Sequence, residues 1–184
     1  REGDMNGFAH LHPVRNDDDA FEAKLPALPD GRYSVYGEVT HESGLARTLV
    51  ASVEIPATLP GAALDPDDSW HPHPALDSST TIRALEPGPF VARNEISLRF
   101  DALGADGQPA LLEPYMGMWS HAAVRAADGS VFTHLHPSGT ISMTAQELFA
   151  RREKGEDLRK PIDVVCGRPE RELIFPYMFP KPGK

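Results

Sequence analysis

The sequence predicts an all-β protein of two immunoglobulin-like antiparallel β-sandwich units, with one short helix inserted in the second unit. Three observations lead to this fold class. Eighteen prolines and 15 glycines separate short apolar runs along the 184 residues, a composition typical of chains with many strands and turns. Several of these runs alternate polar and apolar residues with a period of two. A segment at the start of the sequence recurs in its second half, which indicates two similar units.

The repeat aligns residues 1–13 with 125–137 without a gap, and both copies contain His-Leu-His-Pro. A proline-rich turn at 24–39 has a partial echo at 174–184, where the printed sequence stops before the expected strand. We therefore expect the chain to be a fragment of a longer protein. In it, the first unit lacks its opening strands and the second unit lacks its closing strands.

Residues 57–79 are rich in proline, aspartate and serine, a composition that predicts a linker. The first unit then spans 1–56 and the second spans 80–184. Alternating segments predict strands near 6–12, 19–25, 32–39, 46–55, 80–86, 95–103, 117–125, 130–136 and 171–177.

Only the segment near 144–155 has the sequence of a helix. Thr144 and Glu147 fit the Ser/Thr-x-x-Glu pattern of a capping box at its start, and Gly155 is suited to its end.

Composition excludes several classes of function. The net charge of −9 and pI near 5.3 disfavour a nucleic-acid partner, because no basic face would offset phosphate repulsion. Cys166 is the single cysteine, so neither an internal disulfide nor a Cys-x-x-Cys metal site can form. No apolar run approaches the ~20 residues of a membrane span. No phosphate loop, serine elbow or dinucleotide fingerprint is present, and nothing establishes an enzyme.

The second His-Leu-His-Pro copy lies on a predicted hairpin with Asp128-Gly129 at its turn. Alternation places His134 and His136 on one face. A four-residue loop would set His121 opposite His134, and a two-residue loop would set it opposite His136. Both registers bring His121 to the same face. The other face then carries the apolar residues Ala122, Val124, Val131 and Leu135.

Three imidazoles on one face suit Cu(II), Zn(II) or Ni(II), with a position left open for another ligand. Met116 and Met118 precede the hairpin; their thioethers could help to hold copper, although methionine is also common core filling. His10 and His12 repeat the pair in the first unit and suggest a degenerate second site. The candidate ligands are His121, His134, His136, Met116, Met118, His10 and His12, with copper as the expected ion and zinc as the alternative.

Two other interpretations of these histidines stay open. A His-x-His pair on a strand can be structural, with each imidazole bonded to a backbone carbonyl near a turn. The stretch from His134 to Glu147 is also similar to the signature of JAMM zinc isopeptidases, in which two histidines and an acidic residue hold zinc. Thr144 and Glu147 stand where that signature has Ser and Asp, and the capping box accounts for both.

The stretch "LEPGPFVARNEISLRFDALGADGQPALLEPYMGMWSHAAVRAADGSVFTHLHPSGTISM" (85–143) resembles the YtkA-like, immunoglobulin-like domains of bacterial secreted or membrane-anchored proteins. Residues 25–55 resemble the closing strands of such a domain. The resemblance implies a periplasmic or extracellular location, copper handling as in copper-resistance sandwiches, and other envelope proteins as partners beside the metal ion. The positions that match the ligands of those sandwiches are His121, His134 and His136, together with Met116 and Met118.

Overall fold

A computed structural model describes residues 1–3, 7–16, 20–41, 43–57, 68–71, 80–115, 118–137, 139–160 and 172–183. The chain divides into two compact units. Unit 1 comprises Arg1–Gly37 and Leu49–Leu76, and unit 2 comprises Glu38–Thr48 and Asp77–Lys184. The division crosses a long hairpin, whose tip belongs to unit 2 and whose base belongs to unit 1.

The first part of the chain forms two-stranded sheets. Its strands are β1 (Phe8–His10), β2 (Val14–Arg15), β3 (Phe21–Glu22), β4 (Gly31–Thr40), β5 (Ala46–Ile55) and β6 (Ser69–His71). β1 pairs with β6, β2 with β3, and β4 with β5. The turn between β4 and β5 is closed by backbone hydrogen bonds from His41 to Leu45 and from Gly44 to His41.

The core of unit 1 consists of three buried side chains and a small residue packed against them: Leu28, Tyr33, Ile55 and Ala9. The Tyr33 hydroxyl donates to the carbonyl of Pro29 at 2.7 Å, which satisfies its polar atom inside the core. Gly7 lies against this ring with φ +76, and a Cβ there would stand 2.7 Å from the Tyr33 oxygen. Both the backbone angle and the close approach therefore favour glycine at position 7.

Unit 2 contains a three-stranded antiparallel sheet, a separate hairpin and one helix. Its elements are β7 (Thr80–Ala84), β8 (Glu95–Gly104), β9 (Ala122–Arg125), β10 (Phe132–Leu135), α1 (Met143–Glu153) and β11 (Glu172–Met178). β8 lies between β11 and β7 in the sheet, and β9 pairs with β10.

The core of unit 2 forms where the β9–β10 hairpin packs on the sheet. Leu135 of β10 is completely buried against Leu98 of β8 and Phe175 of β11. Ala122 and Val124 of β9 pack against the same cluster. The predicted core face of the hairpin is thus confirmed at Ala122, Val124 and Leu135. Burial of these apolar side chains fixes which face of the hairpin is directed away from the sheet, and that face carries the histidines.

The described chain is mostly β, with several small antiparallel sheets, none of them closed, and one helix. Each of the nine predicted strands overlaps an observed strand, whereas β2 and β6 were not predicted. β6 lies inside the predicted linker. Its residues form a strand because they pair with β1, in the register from Phe8↔His71 to His10↔Ser69. The predicted strand at 117–125 is shortened and begins at Ala122.

The start of the helix differs from the predicted capping box. Ser142 is the N-cap, and its hydroxyl accepts the Ala145 N–H at 3.1 Å, so Thr144 lies within the first turn. Glu147 instead forms an ion pair with Arg151 one turn later, at 2.9 Å. The helix ends as predicted before Gly155, which has a φ of 69. The Gly155 N–H bonds Arg152 O and the Glu156 N–H bonds Arg151 O. These two bonds form a Schellman motif. In the described part of the chain, no helix is both long and apolar enough to cross a membrane.

Candidate metal centre

The turn of the β9–β10 hairpin sets the register of the histidines. Gly129 adopts φ 72 and its N–H bonds Ala126 O at 2.8 Å, while Asp128 accepts the Ser130 N–H at 2.9 Å. The strands pair from Phe132↔Arg125 to Leu135↔Ala122. One further step of this register sets His121 opposite His136, which is the register of the two-residue loop. Of the two registers that the sequence left open, the structure has this one.

Tight backbone closures flank the hairpin at the end that bears the histidines. Before β9, Tyr115 and Met118 exchange two backbone hydrogen bonds of 2.8 and 3.0 Å. After β10, His136 and Gly139 do the same at 2.7 and 2.8 Å. His136 therefore has a fixed backbone although it lies beyond the last strand residue.

The three imidazole rings of this hairpin are mutual neighbours. The ring centroids of His134 and His136 lie 4.4 Å apart, those of His121 and His136 lie 5.0 Å apart, and those of His121 and His134 lie 5.3 Å apart. His136 is buried with 5% exposure, and the other two are half-buried. The structure thus brings together the three histidines that the sequence predicts as ligands.

Glu38, at the tip of the β4–β5 hairpin in unit 2, holds the outer side of His134. One carboxylate oxygen lies 2.8 Å from His134 Nδ1, and the other accepts the His134 backbone N–H at 3.4 Å. Burial raises the pKa of Glu38, but its hydrogen bonds to His134 and the charges of His134 and His136 outweigh burial, so that the pKa is lowered. Because an ionised carboxylate only accepts hydrogen bonds, Nδ1 of His134 is the protonated nitrogen and Nε2 carries the lone pair.

His121 is held in a similar way by the backbone. Its Nε2 lies 3.2 Å from the carbonyl oxygen of Tyr115, and its ring contacts the Tyr115 ring with centroids 5.1 Å apart. A carbonyl oxygen only accepts, so Nε2 of His121 carries the proton and Nδ1 carries the lone pair. This leaves Nδ1 of His121 and Nε2 of His134 facing each other at 3.2 Å.

Two neutral imidazoles in these tautomers direct lone pairs at one another. That arrangement is repulsive unless a positive species lies between them, either a shared proton or a metal ion. The gap between His121 Nδ1 and His134 Nε2 could therefore hold a cation, with these two nitrogens as its donors.

His136 lies beside these two rings in a more buried position. Burial lowers the pKa of its imidazole, and the neighbouring charge of His134 lowers it further, against opposing contributions from the Gly139 backbone and Glu38. The ring therefore favours the neutral form that a metal requires. Its Nδ1 is buried and has no hydrogen-bond partner within the described residues. Buried polar atoms of this kind usually have a partner, so this nitrogen has capacity for a ligand.

The other predicted ligands have different surroundings. Met118 is buried with 2% exposure, and Met116 lies outside the described residues. In unit 1, the rings of His10 and His12 lie 4.8 Å apart. His12 Nδ1 is 3.3 Å from a carboxylate oxygen of Asp68, which also accepts the His12 backbone N–H at 2.7 Å. Asp68 thus holds the backbone of His12.

The residue that sequence reasoning missed is Glu38, which is separated from His134 by 96 positions. Its own segment, "YSVYGEVTHESG", shows only an alternating strand with a glutamate on it. No local spacing links that glutamate to the second His-Leu-His-Pro copy. Comparisons of the chain with protein-family models, curated proteins and solved structures give no match.

Proposed function

We propose that this protein is a non-enzymatic binder of a transition-metal ion, copper or zinc, through His121, His134 and His136. One observation carries the proposal: His121 Nδ1 and His134 Nε2 face each other at 3.2 Å while the second nitrogen of each ring is bonded elsewhere. Two donors bonded at 2.0–2.1 Å to one tetrahedral ion would lie roughly 3.4 Å apart. The observed separation is close to that value, so little movement of either ring is needed.

The donor set favours particular ions. Imidazole nitrogen suits zinc, copper and nickel, whereas calcium and magnesium prefer oxygen ligands. Three imidazoles also leave a coordination position free for water or another ligand. The partial burial of the rings and the hydrogen bonds on their outer nitrogens are the usual surroundings of histidine ligands.

The finer fold and the location belong to the same proposal. The resemblance of 85–143 to YtkA-like domains supports immunoglobulin-like sandwich units and an envelope protein, periplasmic or extracellular, that handles copper. In such a location the partners would be the metal ion and other envelope proteins. His10 and His12, which repeat the pair in unit 1, would form at most a weaker second site.

A structural role for the histidines is the second candidate, and one contact favours it. His121 Nε2 bonds the carbonyl of Tyr115, as a hairpin-stabilising histidine would. Tyr115 belongs to the backbone-bonded turn before β9. In that case a shared proton, not a metal, would lie between His121 and His134. A zinc hydrolase is less favoured: Glu147 pairs with Arg151 and has no bond to His134 or His136 among the described contacts.

The test is metal content by mass spectrometry on the full chain purified without chelator, followed by titration with Zn(II) and Cu(II). We expect one ion per chain, lost in His134→Ala/His136→Ala and retained in His41→Ala. His41 is exposed in the β4–β5 turn and controls for weak binding to surface histidines. If the wild-type chain holds no metal and binds none more tightly than the double variant, the structural role replaces this proposal.

A further inference from the structure

Glu38 contacts His134 with both of its carboxylate oxygens. The contacts reach the ring Nδ1 at 2.8 Å and the backbone N–H at 3.4 Å of the same residue. A carboxylate that holds both the backbone and the ring restricts rotation of the imidazole about its side-chain bonds. It therefore directs Nε2 of His134 into the gap toward His121.

The same contact selects the tautomer of His134. While Glu38 is ionised it can only accept, so the proton stays on Nδ1 and Nε2 carries the lone pair that a metal ion would use. A neutral amide at position 38 could instead present its NH₂ group to Nδ1. The imidazole would then carry its proton on Nε2, where it blocks the gap.

Charge adds a second effect. Three neutral imidazoles bring no charge to an ion, whereas the Glu38 carboxylate, 2.8 Å from His134 Nδ1, places a negative group beside the site. Coulomb attraction to this carboxylate is twice as large for a divalent as for a monovalent ion. Cu(I) also prefers soft sulfur donors over imidazole.

We propose that Glu38 is the positioning residue of the histidine site and makes it selective for a divalent ion over Cu(I). The inference rests on the proposed function, since it assumes that the three histidines bind a metal ion. It assigns to Glu38 the role that carboxylates commonly have behind a histidine ligand, and it narrows the ion to Zn(II) or Cu(II).

The experiment compares wild type with Glu38→Gln and Glu38→Asp, and uses Glu54→Gln as the matched control. Glu54 is an exposed glutamate on the partner strand β5 of the same hairpin, so its substitution removes the same charge without touching His134. Dissociation constants are measured for Zn(II) and Cu(II) by competition with chelators, and for Cu(I) under anaerobic conditions. Circular dichroism checks that each variant is folded.

We expect Glu38→Gln to weaken Zn(II) and Cu(II) binding by about 10–100-fold, the range typical of lost partners behind a ligand. Cu(I) binding should weaken less, Glu38→Asp should retain part of the divalent affinity, and Glu54→Gln should match wild type. Equal affinities for Glu38→Gln and wild type would overturn the positioning role and leave the metal site standing. An equal loss for Cu(I) would overturn the selectivity. Absence of binding by the wild type would instead overturn the proposed function itself.

Discussion

The three histidines of the β9–β10 hairpin have different chemical surroundings. His134 donates to a carboxylate and His121 donates to a carbonyl, so one ring nitrogen of each already has a hydrogen-bond partner on the protein. His136 is more buried, and its Nδ1 has no partner within the described residues. In the metal-free protein, burial and the charge of His134 therefore make protonation of His136 unfavourable.

This predicts that the metal-free chain loses stability in mild acid through His136. Its pKa is lowered from 6.5 in the folded state, so below pH 6.5 the unfolded state takes up a proton more readily than the folded state. The stability that this difference in pKa contributes is fully present above pH 6.5. It is lost as the pH falls toward the folded pKa, and the free energy of unfolding then falls by at most about 1.4 kcal/mol per pH unit.

Urea unfolding of the chelator-treated protein between pH 7.5 and pH 5 measures this effect. We expect the free energy of unfolding to fall less steeply for His136→Gln than for wild type. His41→Gln, a change at an exposed histidine, should follow the wild-type slope. Parallel curves for wild type and His136→Gln would contradict the prediction.

At the scale of elements, local pattern predicts the hairpin well and its surroundings poorly. The Asp128-Gly129 turn and the alternation that follows it are enough to assign the core and histidine faces. Both candidate loop lengths preserve that parity, so the register had to come from the structure. Glu38 and the pairing of β6 with β1 are long-range contacts, which no periodicity within one segment encodes.

The helix start is a second case in which a local sequence pattern did not give the observed structure. Ser142 and Thr144 are both suitable caps, and only Thr144 is followed by glutamate three residues later. The observed helix begins at Met143, which makes Ser142 the cap and leaves Glu147 to pair with Arg151. Thr144 and Glu147 match the residue types of a capping box, but Thr144 lies inside the helix and does not cap it.

This assignment predicts unequal effects for two similar substitutions. Ser142→Ala removes the acceptor for the Ala145 N–H and should lower the free energy of unfolding by about 1 kcal/mol. Thr144→Ala, in the first turn, should change it by less than about 0.5 kcal/mol. Denaturant titration of both variants checks the order, and a larger loss for Thr144→Ala would show that the helix starts later than Met143.

At the scale of the whole molecule, each unit has its own buried cluster. Leu28 belongs to the cluster of unit 1, and Leu135 belongs to that of unit 2. Leu135 stands between His134 and His136 in the sequence, and its burial against the three-stranded sheet holds the hairpin that carries both. The geometry of the proposed metal site thus depends on the packing of an apolar residue on the opposite face.

Leu135→Ala should therefore reduce both stability and metal affinity. Truncation of a fully buried leucine costs about 2–5 kcal/mol, because it removes contacts and leaves a cavity. Leu28→Ala is the matched control, since it makes the same truncation in the core of unit 1. Hydrogen exchange should show lost protection in β9 and β10 for Leu135→Ala, together with weaker Zn(II) binding, and neither for Leu28→Ala. Equal loss of protection in β9 and β10 for the two variants would mean that the two clusters unfold as one cooperative structure.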